Sequence, residues 1–197
     1  SAQVHFASFG NDFALHQIQI TRPEGQLTGE AFWNAAIGEL TFWDVKSSID
    51  PVALSLWIDR SLAEAIETAG LPKGSTWNAS GQLNWKKDEL SGLQMQLSSA
   101  PLPLFNLPLF SHLRHPSPED EPLLPIEAGV QLADGVLTVE PFAAANTAAR
   151  LTGRAAWDLA TQTFSGELHT DGSGVGKGHW KADAPWRDII WKKASAP

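Results

Sequence analysis

Six histidines, at positions 5, 16, 112, 115, 169 and 179, are the side chains of this sequence best suited to acid–base or metal chemistry near neutral pH. His112 and His115 stand three residues apart, with Glu119, Asp120 and Glu121 close behind, a set that on a helix could share one cation. The same stretch carries Pro116, Pro118 and Pro122, which work against the rigid surroundings a coordination shell needs. The expectation there is solvated loop charge and no metal. "DGSGVGKG" at 171–178 has the composition of a phosphate loop. Asp171 stands where that loop needs Gly, and Gly178 where Ser or Thr must follow Lys177, so a turn is expected instead. Serines are plentiful, but no Gly-x-Ser-x-Gly elbow occurs. Asp158, Asp171 and Asp183 sit in or beside turns, where Asp serves the backbone. These residues predict neither an enzyme nor a cofactor.

The elements that carry them are mostly strands. In 197 residues, 43% are apolar and 18% charged, with 16 Gly and 13 Pro, which suits many short strands and turns. A net charge of −8 argues against nucleic acid, which needs clustered cations. With no cysteine, disulfides and thiolate metal sites are excluded. No apolar run approaches the ~20 residues of a membrane helix, and no signal peptide opens the chain. It reads as mature protein or as an excerpt of a longer one.

Three stretches repeat one pattern: "LTGEAFWNA" at 27–35, "ASGQLNW" at 79–85 and "LTGRAAWDLA" at 151–160. Gly29, Ala31 and Trp33 align with Gly81, Leu83 and Trp85, and with Gly153, Ala155 and Trp157. Alternation makes each copy one strand of a hairpin with a single apolar face, where the Gly permits close approach or a bulge. Upstream, residues 13–20 predict a strand with Ala14, His16, Ile18 and Ile20 on one face. "ADG" at 133–135, between alternating apolar runs, predicts a tight hairpin.

One helix is expected over 50–69, with Asp50 as N-cap, Pro51 at its first position, and Gly70 and Pro72 ending it. Leu54, Ile58, Leu62, Ala65, Ile66 and Ala69 form its apolar stripe. Its polar face, with Asp59, Glu64 and Glu67 against Arg60, is wrong for anionic lipid. Residues 101–125 are a Pro-rich apolar segment, with a short helix expected around 105–113, then a polar loop. Nine tryptophans are read chiefly as core. Trp180, Trp186 and Trp191, in a polar tail, are the better candidates for stacking on carbohydrate. The fold class is therefore mainly β with one amphipathic helix. It is a curled antiparallel sheet of repeated hairpins, with residues 1–100, 101–125 and 126–197 in one continuous β-domain.

The run from 123 to 168 resembles the C-terminal region of AsmA-like proteins, a bacterial group that includes TamB-type and YhdP-type chains. Asp134, Gly135, Val136 and Leu137 match a hairpin of that family. Leu151, Gly153, Asp158 and Leu159 match its following element, with Ala155 where the family often has Gly. The resemblance implies a periplasmic protein of the Gram-negative envelope, tethered to the inner membrane by a segment outside this chain. It also implies a role in phospholipid movement or outer-membrane assembly, through a long groove with an apolar concave face. Val130, Leu132, Leu137, Val139, Leu151, Trp157, Leu159, Phe164 and Leu168 would line that groove. Phospholipid acyl chains would be its ligands, and other envelope proteins its possible partners. The same residues would serve equally as a closed core beneath the helix and the Pro-rich segment. A carbohydrate-binding or structural β-module is the alternative, and a small hydrolase the third.

Overall fold

A computed structural model describes residues 1–23, 25–51, 53, 55, 60–71, 76–87, 89–113, 123–172 and 176–194; the side chains of Ser61, Leu62 and Thr68 lie outside that description. Twelve antiparallel strands form one sheet in strict chain order. They are β1 (Ala2–Phe9), β2 (Asp12–Arg22), β3 (Gly25–Asn34), β4 (Glu39–Ser47), β5 (Trp77–Lys86) and β6 (Glu89–Ser99). After the Pro-rich segment come β7 (Ile126–Ala133), β8 (Val136–Ala145), β9 (Ala149–Asp158), β10 (Thr163–Gly172), β11 (Gly178–Pro185) and β12 (Lys192–Lys193). The sheet curls but does not close, and β7 pairs directly with β6, so it continues from the strands before the Pro-rich segment to those after it.

Turn chemistry sets this meander. Asp134 and Gly135, at φ 51° and 76°, both occupy the left-handed region that a tight two-residue hairpin turn demands. Gly38, Lys87 and Gln162 take positive φ at three other turns on the same lip of the sheet. The curl has its own devices. Gln17 (φ 54°) and Asp44 (φ 50°) sit where the pairing of β2 with β3 and of β4 with its neighbours slips by one residue. Each bulge adds local twist.

The Gln17 bulge corrects one sequence expectation. Ala14 pairs with Phe32 on one face, whereas Ile18 pairs with Gly29 and Ile20 with Leu27 on the other. His16 stays on Ala14's face, where its ring bonds Glu30 at 2.8 Å. An inserted residue reverses the alternation, so the four do not share a face.

Between β4 and β5, Pro51, Ala53 and Ser55 are helical, and helix α1 spans Arg60–Ala69. Ala65 is buried, and Ile66 and Ala69 pack against the core. Leu54, Ile58 and the Leu62 side chain fall outside the described residues. Gly70, at φ 74°, ends the helix, and a Cβ there would collide with the Pro108 ring. The helix end therefore abuts the Pro-rich segment.

That segment contains no α-helix over 105–113. Two 3₁₀ turns, Leu104–Asn106 and Ser111–Leu113, flank Pro108. A proline offers no N–H to a continuous helix, so the chain breaks into separate turns. Its apolar residues Leu102, Leu104, Phe105, Leu107, Leu109, Phe110 and Leu113 are all buried.

Candidate functional site

Paired residues of an antiparallel sheet project from the same face, so the register maps that face directly. From β1 to β11, Phe6, Leu15, Ala31, Phe42, Leu83, Leu93, Leu132, Leu137, Trp157, Phe164 and Ala184 stand side by side. A second row runs Val45, Gly81, Met95, Val130, Val139, Ala155, Gly166 and Ala182. One face is thus apolar across eleven strands. The other carries Gln94, Gln96, Gln131, Thr138, Arg154, Glu167 and Lys181.

The repeated glycines now have a role. A Cβ on Gly81 would fall on the Gln94 carbonyl, and one on Gly153 on the Glu167 carbonyl. At Gly29 the nearest atoms, around Val45, are 3.4 Å away. Two of the three copies therefore need glycine so that neighbouring backbones can close up on the apolar side. The Trp at the end of each copy stands on that same face.

All nine groove residues expected from sequence lie on this side of the sheet. Leu132, Leu137, Leu151, Trp157, Phe164 and Leu168 are buried; Val130, Val139 and Leu159 are partly buried and packed against the same core. What covers them is residues 101–113, helix α1 and the C-terminal tail. Phe110 stacks on Phe142 with ring centroids 5.7 Å apart. Trp191 meets Phe164 edge-on at 5.6 Å and donates its indole N–H to the Leu109 carbonyl at 2.7 Å. Trp186 donates to the Thr163 carbonyl at 3.0 Å. Trp186 and Trp191 are buried, and Trp180 bonds Thr170 from a partly buried position. The reading of these three as the better surface candidates among the tryptophans is corrected: apolar neighbours and carbonyls on the inner side draw the tail inward.

The cover leaves a gap. Ala65, Ile66, Phe110, Val139, Ala155 and Trp157, among others, enclose a cavity of about 140 Å³. An engineered apolar cavity of ~150 Å³ stays dry and takes up benzene. Ligand pockets for larger molecules start near 300 Å³, so the gap admits a short apolar group and no more while the cover is in place. The indole Nε1 of Trp157, on the cavity wall, is buried without a hydrogen-bond partner among the described residues.

Coverage also thins toward β1. Along the lip of the short turns, Phe13, Trp33, Leu40, Trp85 and Leu90 are partly buried. Phe6 is 64% exposed. Phe6 and Phe13 lie 5.6 Å apart, and Phe13 and Trp33 stack at 6.2 Å. Sequence reasoning missed this aromatic lip because the Gln17 bulge hides the period of β2.

Two wider depressions lie elsewhere: one of about 700 Å³ beside Glu64, Glu67, Gln162 and Trp186, and one of about 630 Å³ across β3 to β8, lined mainly by polar residues such as Gln26, Thr28, Ser80 and Gln96. Among the described residues, the Ser47 and Ser48 hydroxyls that line the β3–β8 depression accept backbone N–H groups, and no base is bonded to them. The Asp158 carboxyl is held below its ordinary range chiefly by the Thr161 backbone N–H, and that of Glu167 chiefly by its hydrogen bond with His179. Neither is raised, as a general acid at neutral pH requires. His115, Glu119, Asp120 and Glu121 of the metal set considered above, and residues 173–175 of the glycine-rich turn, lie outside the described residues; His112 is exposed. Comparison of the chain with protein-family models, curated proteins and solved structures returns no match.

Proposed function

We propose that this chain is a non-enzymatic domain of the Gram-negative cell envelope that holds phospholipid acyl chains in its apolar β-trough. The observation that carries the reading is the apolar row crossing eleven strands, more apolar sheet than its own cover fills. The periplasmic setting, an inner-membrane tether outside these residues, and a contribution to lipid transfer or outer-membrane assembly rest on the resemblance to AsmA-like proteins.

In this reading residues 101–113 are a plug that an acyl chain displaces. Backbone bonds tie the plug at its base, where Leu102 and Leu124 exchange N–H and carbonyl at 2.9 Å, and Trp191 holds its far part. The side chains it buries among the described residues are apolar, and methylenes can replace apolar contacts at little cost. Each buried methylene contributes about 0.8 kcal/mol. About ten of them would offer roughly 8 kcal/mol before the cost of moving the plug, which is the scale of micromolar binding.

The test is detergent-free purification from a Gram-negative host, native mass spectrometry with lipid extraction, and titration with a fluorescent fatty acid. Co-purifying phospholipid and saturable uptake are expected. Ala155→Leu, which narrows the cavity where an acyl chain would enter, should weaken uptake while the circular dichroism spectrum stays unchanged. A lipid-free protein that takes up no fatty acid, even with the plug loosened by Trp191→Phe, would overturn the reading in favour of a structural β-module.

A further inference from the structure

We propose that Glu167, His169 and His179 form a divalent-cation site, of the kind zinc occupies, on the outer face of the β10–β11 hairpin. The trough plays no part in it, since these side chains project from the opposite side of the sheet.

The hairpin register sets His169 directly across from His179. Glu167 precedes His169 by two residues, so alternation puts it on the same face. The two imidazole rings stack with centroids 4.5 Å apart and planes 8° from parallel. Glu167 Oε1 lies 2.5 Å from His179 Nε2. One ligand atom from each of the three residues lies within 4.8 Å of the others. In a tetrahedral shell with bonds of 2.0–2.1 Å, ligand atoms stand about 3.4 Å apart. Side-chain rotations of about an ångström therefore close the site, with the ion entering between Glu167 Oε1 and His179 Nε2. A carboxylate and two imidazoles are the three-ligand set of open zinc sites, in which water takes the fourth position.

The support is built into the sheet. β10 is paired with both β9 and β11 from Thr163 to Thr170, so Glu167 and His169 sit on a strand held from two sides. Arg154 of β9 bonds the other carboxylate oxygen, Oε2, at 3.1 Å and leaves Oε1 turned toward the histidines. Lys181 of β11 stands 3.6 Å from Oε1 and is the charge that a cation must displace. Arg154 thus positions the carboxylate, while Lys181 competes for it.

That competition gives the test a direction that an adventitious surface histidine would not show. The full chain is titrated with Zn²⁺ by calorimetry, and with Co²⁺ by visible absorption as a report on ligand geometry. One ion per chain and a tetrahedral Co²⁺ spectrum are expected. His169→Ala, His179→Ala and Glu167→Gln should each weaken binding by at least about tenfold. Lys181→Gln should tighten it. His169 is exposed, so His169→Ala decides the matter even if the other variants unfold. Failure to bind Zn²⁺, or affinity unchanged in His169→Ala, would overturn the proposal.

Discussion

At the scale of single residues, backbone demands explain more than chemistry does. Asp158 ends β9 by accepting the backbone N–H groups of Ala160 and Thr161, each at 2.9 Å. Its carboxyl therefore titrates below its ordinary value of 3.8, with the Thr161 backbone N–H as the largest cause. A group whose pKa is lower in the folded state contributes stability above its unfolded pKa and loses it as pH falls through the folded one. Thermal melts should accordingly show the native protein losing its advantage over Asp158→Asn as the medium is acidified through the carboxylate range; a constant gap would deny the carboxylate that role. The glycines make a second residue-scale prediction. Gly153→Ala and Gly81→Ala each drive a Cβ onto a neighbouring carbonyl and should cost about 1–3 kcal/mol by urea unfolding. Gly29→Ala, whose nearest contacts are at 3.4 Å, should cost visibly less.

Between residue and fold stand the plug and the tail that grips it. Replacing Trp191 by Phe keeps an aromatic ring beside Phe164 but leaves the buried Leu109 carbonyl without its donor, a loss of about 1–3 kcal/mol. Hydrogen exchange should then quicken over residues 102–113 and scarcely change in β7–β9. Phe105, only 2% exposed, is the plug's deepest aromatic, and Phe105→Ala should cost about 3–5 kcal/mol. The composition of this element showed that it was apolar. Its conformation was not legible, because two 3₁₀ turns around Pro108 have no period of their own. The tail misled for the same reason: tryptophans among Lys, Arg and Asp read as surface until the fold sets carbonyls and Phe164 beneath them.

At the scale of the molecule, the sheet is one object with an uneven interior. The main buried cluster draws on β4 to β11, the plug, α1 and the tail, whereas the buried residues of β1–β3, Ala14, Ile18 and Ala31, stand outside it. Local opening follows buried contact, so β1–β3 should open first. Native-state hydrogen exchange should give the amides of β1 and β2 lower opening free energies than those of β7–β10. Equal protection along the whole sheet would contradict this. An apolar trough that is firmly filled at one end and loosely covered at the other is also the form the proposed acyl ligand requires.

By itself the sequence determined the local structure: the period-2 runs, the Asp134–Gly135 turn, the helix stop at Gly70 and the apolar face through Leu137, Leu151 and Trp157. These follow from alternation and dihedral preference among near neighbours. Only the tertiary structure decided which residues share a face beyond the Gln17 bulge, what fills the trough, and that His169 and His179 stack beside Glu167. The Glu-x-His spacing was readable, but its partner histidine depends on the register between β10 and β11. A one-residue slip there would turn His179 to the other face.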